Sequence, residues 1–438
     1  MANLNALLAT DAAKGLAAGE FTAQDLMREC LDRVAARDEQ VQAWAHIDPE
    51  QALSMAQAAD EIPVHARGPL HGLPVGIKDI IDTVDMPTEN GSPLFRGRQP
   101  AVDATCVSAL RAAGAIIMGK TVTTELANTN PSKTRNPHNL EHTPGGSSAG
   151  SGAGVADHQM PLALGTQTGG SVIRPASYNG VYGLKPTLGL IPRGGVLLQS
   201  HTLDTVGTYA RSLEDLALVT DAISQPDPLD AHSYLGSRGS LRTAYREAIP
   251  SAARLAFLET PAWAQTHDGA KAAILDIVAK LGPACAHESL PAPYDEILDL
   301  HGAIFAAENA HYYGDYLTHQ PELLSEKLRG RMLDTANVTG REYVNAITQR
   351  AVIYQSFQAL LGNYDAVLCL SATGPAPHGF STTGSPAYNS PWTYLGVPCI
   401  SLPRLTVESL PVGVQLVGLR GAEGHLFKVA RWLDEQLS

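Results

Sequence analysis

Short apolar runs stand near both ends of this 438-residue chain, with a long stretch of different texture between them. Gly, Pro, Thr and Asn separate the first three runs, which is typical of short buried strands. The six runs are residues 75–77, 115–118, 161–164, 366–370, 399–402 and 412–417. A helical pattern over residues 103–113 leads into the second run, and this alternation indicates an α/β core. The sequence therefore predicts one sheet assembled from distant parts of the chain.

The rest of the chain is expected to supply helices within a single domain. Thr22 with Asp25, and Thr339 with Glu342, stand three residues apart ahead of helical patterns, as N-capping residues do. No internal repeat, low-complexity tract or convincing linker divides the sequence. The expected parts of the 1–438 domain are N-terminal helices (1–60), a core (68–215), a variable and mostly helical region on the substrate side (225–365), and C-terminal strands with an amphipathic helix (366–438).

Composition excludes several classes of protein. The net charge is −13 and no Lys/Arg-rich run occurs, which argues against binding to nucleic acid or to an anionic membrane. The five cysteines form no CxxC pair, so neither a disulfide framework nor a zinc site is expected and a reducing, cytoplasmic compartment is favoured. Residues 1–15 lack the features of a signal peptide, and no apolar run is long enough to span a membrane.

Residues 114–121 match the phosphate-loop pattern GxxxxGK[ST] letter for letter. A phosphate-binding loop follows a strand and opens a helix. Here the intervening residues Ala-Ile-Ile-Met resemble a strand themselves, and they follow a predicted helix. A buried strand is therefore the favoured interpretation, and a nucleotide-binding protein is only a third hypothesis for function.

Two serine-containing segments and one upstream lysine suggest chemistry. The segments are Gly-Gly-Ser-Ser-Ala-Gly-Ser-Gly at 145–152 and Gly-Thr-Gln-Thr-Gly-Gly-Ser at 165–171, and the lysine is Lys78. A serine hydroxyl needs a base to attack an amide. A lysine can be that base only when it is neutral, so its reference pKa of about 10.4 must fall through burial. Taken alone, the first segment is equally compatible with a flexible surface loop.

The chain resembles the amidase signature family of serine hydrolases over nearly its whole length, least in 225–365. The matching motifs lie at 72–79, 114–121, 144–151, 165–176, 183–187, 203–207, 396–398 and 411–416. The resemblance implies a mixed, mostly parallel, twisted sheet covered by helices on both faces. It also implies Ser171 as nucleophile, Ser147 after a cis peptide bond as bridge, and Lys78 as base. The oxyanion hole would be formed by Thr168, Gly169 and Gly170, because glycines let backbone N–H groups approach a substrate carbonyl.

The sequence departs from the common pattern of the family close to Ser171. Many relatives have Asp in place of Gln167 and an arginine two residues after the nucleophile, whereas here the arginine is Arg174, three residues after it. This combination resembles the malonamidase-like branch, in which the arginine is associated with a substrate carboxylate, a role suited to bidentate pairing. The alternative is a structural arginine that pairs with a backbone carbonyl or a core acid.

The remaining candidate residues are assigned less specific roles. Gly145, Gly146 and His201 are predicted to contact substrate, although a supporting hydrogen bond is the alternative for His201. Cys399 lies in an apolar run and is predicted to be a core thiol rather than a nucleophile.

The predicted function is hydrolysis of a linear carbon–nitrogen bond through an acyl-enzyme, on a small polar or carboxylated amide. Hydrolysis of aryl amides or carbamates with the same triad is one alternative, and a glutaminase-type subunit of a tRNA-dependent amidotransferase is another. No cofactor or metal is expected. The predicted partner is a small-molecule amide, with neither nucleic acid nor membrane, and a homodimer is left open.

Overall fold

The computed structural model describes residues 3–236, 239–249, 252–335 and 337–438. Eleven strands form one sheet within these ranges. The strands are β1 Trp44–Ile47, β2 Pro74–Lys78, β3 Ile116–Thr121, β4 Leu162–Gln167, β5 Tyr182–Lys185, β6 Thr205–Ala210, β7 Leu255–Leu258, β8 Cys285–Glu288, β9 Ala366–Leu370, β10 Cys399–Val407 and β11 Leu410–Val417. Their order across the sheet is β1-β3-β2-β4-β6-β5-β10-β11-β9-β7-β8. The C-terminal strands β10 and β11 thus lie beside β5, which confirms that distant parts of the chain build one sheet.

Helices flank the sheet. The described α-helices are α1 Ala9–Ala18, α2 Ala23–Val41, α3 Pro49–Asp60, α4 Thr105–Ala112, α5 Ala149–Ala156, α6 Ile173–Tyr178, α7 Leu213–Ile223, α8 Leu241–Arg246, α9 Asp268–Leu281, α10 Ile297–His319, α11 Glu326–Thr335, α12 Gly340–Leu361, α13 Ser390–Tyr394 and α14 Glu423–Leu437. Thr22 and Thr339 both form capping boxes, as predicted. The α/β class and the single large domain are confirmed.

The prediction that the sheet is mostly parallel is wrong. Among the ten neighbouring pairs of described strands, six are antiparallel and four are parallel. One reason is the two-residue turn between β10 and β11, where Glu408 and Ser409 have φ values of 52° and 65°. Such a tight hairpin joins only antiparallel strands. The other reason is β6, which lies antiparallel to both of its neighbours, β4 and β5.

The phosphate-loop pattern lies on a buried strand, as the sequence predicts. β3 covers the end of the motif, and every residue of β3 is buried. The side chain of Lys120 is fully enclosed, and its Nζ donates to the carbonyl of Ile81 at 2.8 Å and lies 3.7 Å from a carboxylate oxygen of Asp79. The lysine is therefore used inside the core, where no phosphate can reach it.

Two further findings concern the core and possible membrane spans. All five cysteines are buried and unpaired, and burial raises the pKa of the Cys399 thiol to about 12, so the prediction of a core thiol is confirmed. None of the helices in the described ranges is long and apolar enough to cross a membrane.

Candidate active site

Two neighbouring parallel strands bring Lys78 and the second serine-containing segment together. Lys78 is the last residue of β2, and β4 pairs with β2 in parallel register. Parallel strands end at the same edge of a sheet, which is where ligand sites of α/β proteins form. The loop after β4 carries residues 168–172 into α6, so Ser171 lies beyond the edge at which Lys78 ends.

Lys78 is completely buried and hydrogen-bonded to two hydroxyl groups. Its Nζ lies 2.7 Å from Ser147 Oγ and 2.8 Å from Thr166 Oγ1. Burial lowers the pKa of Lys78 well below its ordinary value, and the charge of Asp204 opposes that shift only in part. Lys78 has no ion-pair partner within 4 Å among the described residues. The structure therefore favours a neutral amine at this position.

Comparison with the other two fully buried lysines shows why Lys78 differs. Lys185 donates to the carbonyls of Pro186 and Val397, and Lys120 has its carbonyl and carboxylate neighbours. Carbonyl and carboxylate oxygens can only accept, so they stabilise a charged ammonium. A hydroxyl can also donate a proton to the lone pair of a neutral amine. Lys78 alone among these three has hydroxyl partners only, which suits a group that must both accept and release a proton.

The glycine- and serine-rich segment that carries Ser147 is ordered against β4. Ser148 Oγ both donates to the carbonyl and accepts from the N–H of Thr166, each at 3.2 Å. Ser151 Oγ donates to the carbonyl of Leu164 at 2.8 Å. The peptide bond between Gly146 and Ser147 is cis, as the resemblance implies. These contacts exclude the flexible-loop alternative.

The carbonyl groups of the loop 168–171 are all held by hydrogen bonds. His301 Nε2 donates to Thr168 at 2.8 Å, and Thr393 Oγ1 donates to Gly169 at 2.8 Å. The carbonyl of Gly170 accepts from the N–H of Arg174 at 3.0 Å, and that of Ser171 accepts from the Tyr209 hydroxyl at 3.1 Å. Since the C=O and N–H of one trans peptide point in opposite directions, each held carbonyl fixes the direction of the next N–H.

The N–H groups of the same loop are left free. Within the described ranges, the amides of Gly169, Gly170 and Ser171 donate to no protein atom. Consecutive free N–H groups beside a serine are the donors that stabilise a developing oxyanion. Gly170 is required for a further reason, because a Cβ there would lie 2.4 Å from Asn389 Oδ1.

The Ser171 hydroxyl itself bonds to none of the described residues. The structure therefore joins Lys78 to Ser147 directly and brings Ser171 to the mouth of the site, but it leaves the link between the two serines open. The side chain of Ser171 is partly exposed at a cavity of about 100 Å³, whereas Ser147 beneath it is buried. A larger cavity of about 540 Å³ between α7, α8 and α14 lies away from all three residues.

Gln167 accounts for its own departure from the family pattern. Its Oε1 accepts from the N–H groups of Val172 at 2.8 Å and Ile173 at 3.0 Å, which caps the first turn of α6. Its Nε2 donates to Thr393 Oγ1 at 2.9 Å, and this is the hydroxyl that holds Gly169. An aspartate could accept the two backbone hydrogen bonds but could not donate the third.

Arg174 combines both roles considered for it. Its Nη2 donates to the carbonyl of Gly146 and, at 3.2 Å, to Thr383 Oγ1, as a structural arginine would. Its Nε and Nη1 are buried without a partner, although the side chain lines the cavity at Ser171. Burial lowers the pKa of this guanidinium to about 10. No carboxylate compensates its charge, which leaves two donors for a ligand.

Three predicted substrate contacts are not found at the cavity. Gly145 and Gly146 lie behind it, where their N–H and C=O groups bond to Thr143 and Arg174. His201 lies at a different depression lined by Glu308, and its ring packs edge-on against His232 at 4.6 Å. The reason is the turn after residue 199, which wraps its N–H groups around the Asp204 carboxylate and directs His201 away.

Sequence reasoning missed three residues that shape the site. Thr166 binds Lys78, Asp204 accepts the hydroxyl of Thr168, and His301 holds the carbonyl of Thr168. Thr166 and Asp204 lie inside motifs that were recognised, so alternation along a strand and a buried acid beside the lysine were available signals. His301 lies in the variable region 225–365, where no sequence signal distinguishes it from a core histidine.

Fold and site together define an α/β enzyme of the hydrolase class. The chain belongs to the Amidase family, whose family model matches residues 25–427. It is therefore an enzyme that hydrolyses carbon–nitrogen bonds. One relative is the amidase-family component of the glutamyl-tRNA(Gln) amidotransferase of Lysinibacillus sphaericus, which is 31% identical over 461 residues, covering 95% of this chain and 94% of the relative.

Solved structures agree with this assignment. A protein from a vestigial complex that reveals the origins of an s-triazine catabolic enzyme is 27% identical with a TM-score of 0.91, over 98% of both chains. A 6-aminohexanoate cyclic dimer hydrolase bound to its substrate is 26% identical with a TM-score of 0.87, over 100% of this chain and 98% of the other. The extensive coverage supports one shared fold along the whole chain.

Proposed function

We propose that this enzyme hydrolyses a small amide that carries a carboxylate, through an acyl-enzyme formed on Ser171. The observation that carries the proposal is Lys78, a buried lysine whose hydrogen-bond partners are hydroxyls alone. A neutral amine bonded to a serine, next to a row of free N–H groups, provides a base, a proton carrier and an oxyanion site in one place.

Acylation begins when Ser171 Oγ attacks the carbonyl carbon of the substrate. Its proton passes to Ser147 as the Ser147 proton passes to the Lys78 amine. A new C–O bond forms, and the displaced electron pair rests on the carbonyl oxygen, which accepts hydrogen bonds from the free amides of residues 169–171. The Ser171 hydroxyl is free to turn toward Ser147, because no described residue holds it.

Collapse of this intermediate breaks the C–N bond. The leaving nitrogen takes a proton from Ser147, which recovers one from Lys78, and ammonia or an amine departs. A water molecule then attacks the acyl group, passes a proton along the same path, and releases the acid with Ser171 restored. The triad thus begins and ends each half-reaction with a neutral Lys78.

Arg174 supports a carboxylate in the acyl portion of the substrate. Its two unpartnered nitrogens lie in the wall of the cavity that Ser171 lines, and a guanidinium pairs with a carboxylate through two parallel hydrogen bonds. The small cavity volume further favours a short substrate over an aryl amide or aryl carbamate.

The test is release of ammonia or amine from a panel of carboxylated amides, neutral amides, aryl amides, carbamates and ureas. Ser171→Ala and Lys78→Met should each reduce turnover at least a thousandfold, on the order of the losses seen when a member of a catalytic triad is removed. Ser151→Ala is the matched control, because this serine lies in the same segment and bonds only within the scaffold. Near wild-type turnover by folded Ser171→Ala or Lys78→Met would refute the triad.

A second candidate function is that of the ammonia-generating component of an amidotransferase, and the identity to such a component from Lysinibacillus sphaericus favours it. This role requires glutamine as the substrate and a partner protein. Glutamine hydrolysis that appears only when a partner is added would support it. Turnover of carboxylated amides by the purified chain, without preference for glutamine, would support the first proposal instead.

A further inference from the structure

The cavity at Ser171 contains two guanidinium groups and no acid. Arg174 projects from α6 and Arg331 from α11, and both line the cavity. None of the described lining residues is Asp or Glu. The cavity wall therefore carries two positive charges with nothing of opposite sign beside them.

Arg331 has no hydrogen-bond or ion-pair partner in the described part of the chain. Its guanidinium lies 4.6 Å above the centre of the Phe305 ring, which supports the flat face of the group while its N–H edge stays free. Burial lowers the pKa of Arg331, and no neighbouring carboxylate opposes that shift. A half-buried arginine held by its face alone has all its donors available to a ligand.

A third unpaired donor lies in the same wall. Asn128 Nδ2 is buried without a partner, while Asn128 Oδ1 accepts from the N–H of Thr129 at 3.0 Å. Buried polar groups in native proteins are nearly always hydrogen-bonded, so a cluster of unpaired donors in one small space indicates a missing acceptor. Two arginines and an amide that converge without an acid require an anion with several acceptor oxygens.

We infer that Arg331 joins Arg174 in one anion subsite and is the residue that sets the preference for carboxylated over neutral amides. The inference rests on the proposed function and adds a residue from the variable region to it. Arg331 is also the cleaner reporter of substrate charge, because Arg174 additionally holds the carbonyl of Gly146 beside Ser147. A substitution of Arg174 would disturb the serine bridge and the anion subsite together.

The test compares Arg331→Met and Arg331→Lys with Arg329→Met as matched control. Arg329 lies on the same helix α11, two residues away, and does not line the cavity. With a carboxylated amide, Arg331→Met should raise KM about 10- to 100-fold, the range for losing one or two hydrogen bonds to a charged group, and should change kcat less. With the matching neutral amide, the two arginine-to-methionine variants should both resemble wild type. Arg331→Lys should recover part of the lost affinity, because it keeps the charge but not the planar donors.

Binding of malonate to the Ser171→Ala protein, measured by calorimetry, separates this inference from the proposed function. Malonate should bind Ser171→Ala and bind the Ser171→Ala, Arg331→Met double variant at least tenfold more weakly. Retained turnover by Ser171→Ala would refute the proposed triad and leave the anion subsite standing. Equal losses on carboxylated and neutral amides, or malonate binding that is unchanged by Arg331→Met or absent at millimolar concentration, would overturn the inference.

Discussion

His301 supplies the sharpest test of how the oxyanion loop is held. Its Nε2 donates to the carbonyl of Thr168 at 2.8 Å, and burial lowers the pKa of the ring to about 4, so the ring is neutral in the range where enzymes are assayed. Because that carbonyl can only accept, Nε2 carries the proton. The bond fixes the peptide between Thr168 and Gly169 and thereby aims the N–H of Gly169 at the cavity. Replacing His301 by leucine removes the bond and lets this peptide rotate.

The expected loss follows from what one oxyanion donor contributes. A full donor is worth about 2.7–4 kcal/mol, or 10²–10³ in kcat. The peptide keeps partial restraint, because the Thr168 hydroxyl bonds Asp204 and Thr393 holds the next carbonyl. About half of that free energy should therefore be lost, so His301→Leu should lower kcat about 10- to 50-fold with little change in KM. The orphaned carbonyl should also reduce the free energy of unfolding by about 1–3 kcal/mol.

The assay is initial-rate kinetics on the best amide of the panel, with thermal unfolding measured in parallel. His301→Gln is the matched variant, since its side-chain amide can place an N–H where Nε2 stood, and it should recover most of kcat. No titration of His301 should appear above about pH 5 in the wild-type profile. If His301→Leu and His301→Gln lose kcat equally, or if only KM changes, the hydrogen bond does not act as argued.

Other predictions follow from the same geometry. Activity should rise with pH as Lys78 loses its proton, and the inflection should lie well below the ordinary lysine pKa, because burial lowers the pKa of Lys78. Between that lowered pKa and about 10.4 the unfolded chain binds one more proton than the folded chain, so wild type should gain stability relative to Lys78→Met as pH rises through this window, measured by denaturant unfolding. A difference that is flat with pH would contradict a neutral Lys78. Gly170→Ala should destabilise the fold by about 1–3 kcal/mol and abolish turnover, because the added Cβ would lie 2.4 Å from Asn389 Oδ1. Gly169→Ala, whose nearest contact would be 3.4 Å, should be far milder, and equal effects would refute the packing argument.

The strands that the sequence predicted share one physical property. All six predicted runs fall on β2, β3, β4, β9, β10 and β11, which are mainly apolar in sequence and buried along most of their length. The missed strands are shorter or less apolar. β6, for example, reads Thr-Val-Gly-Thr-Tyr-Ala, and only pairing with β4 and β5 on either side makes it a strand. Local pattern detects strands whose burial is written into their own residues, and it misses those that neighbours create.

The candidate site divides in the same way. Lys78, Ser147, Ser171 and the glycines of the loop could be predicted because the chemistry requires those residue types within motifs the family shares. His201 was misplaced because its orientation depends on Asp204, which gathers the N–H groups of the turn around its own carboxylate. His301 and Arg331 could not be predicted, because only the packing of α10 and α11 over the sheet edge brings them to the cavity.

The hydrogen bonds to the loop 168–171 also order events in time. Lys78, Ser147 and Ser171 all lie in the first half of the chain, and a ribosome would release them early. The groups that hold the carbonyls of Thr168 and Gly169 come 133 and 224 residues later in the sequence. A nascent chain, or a fragment that ends before α10, therefore carries the complete nucleophilic apparatus without an aligned oxyanion site. Synthesis and catalysis are thereby separated, and hydrolysis begins only once the C-terminal strands and α13 have joined the sheet.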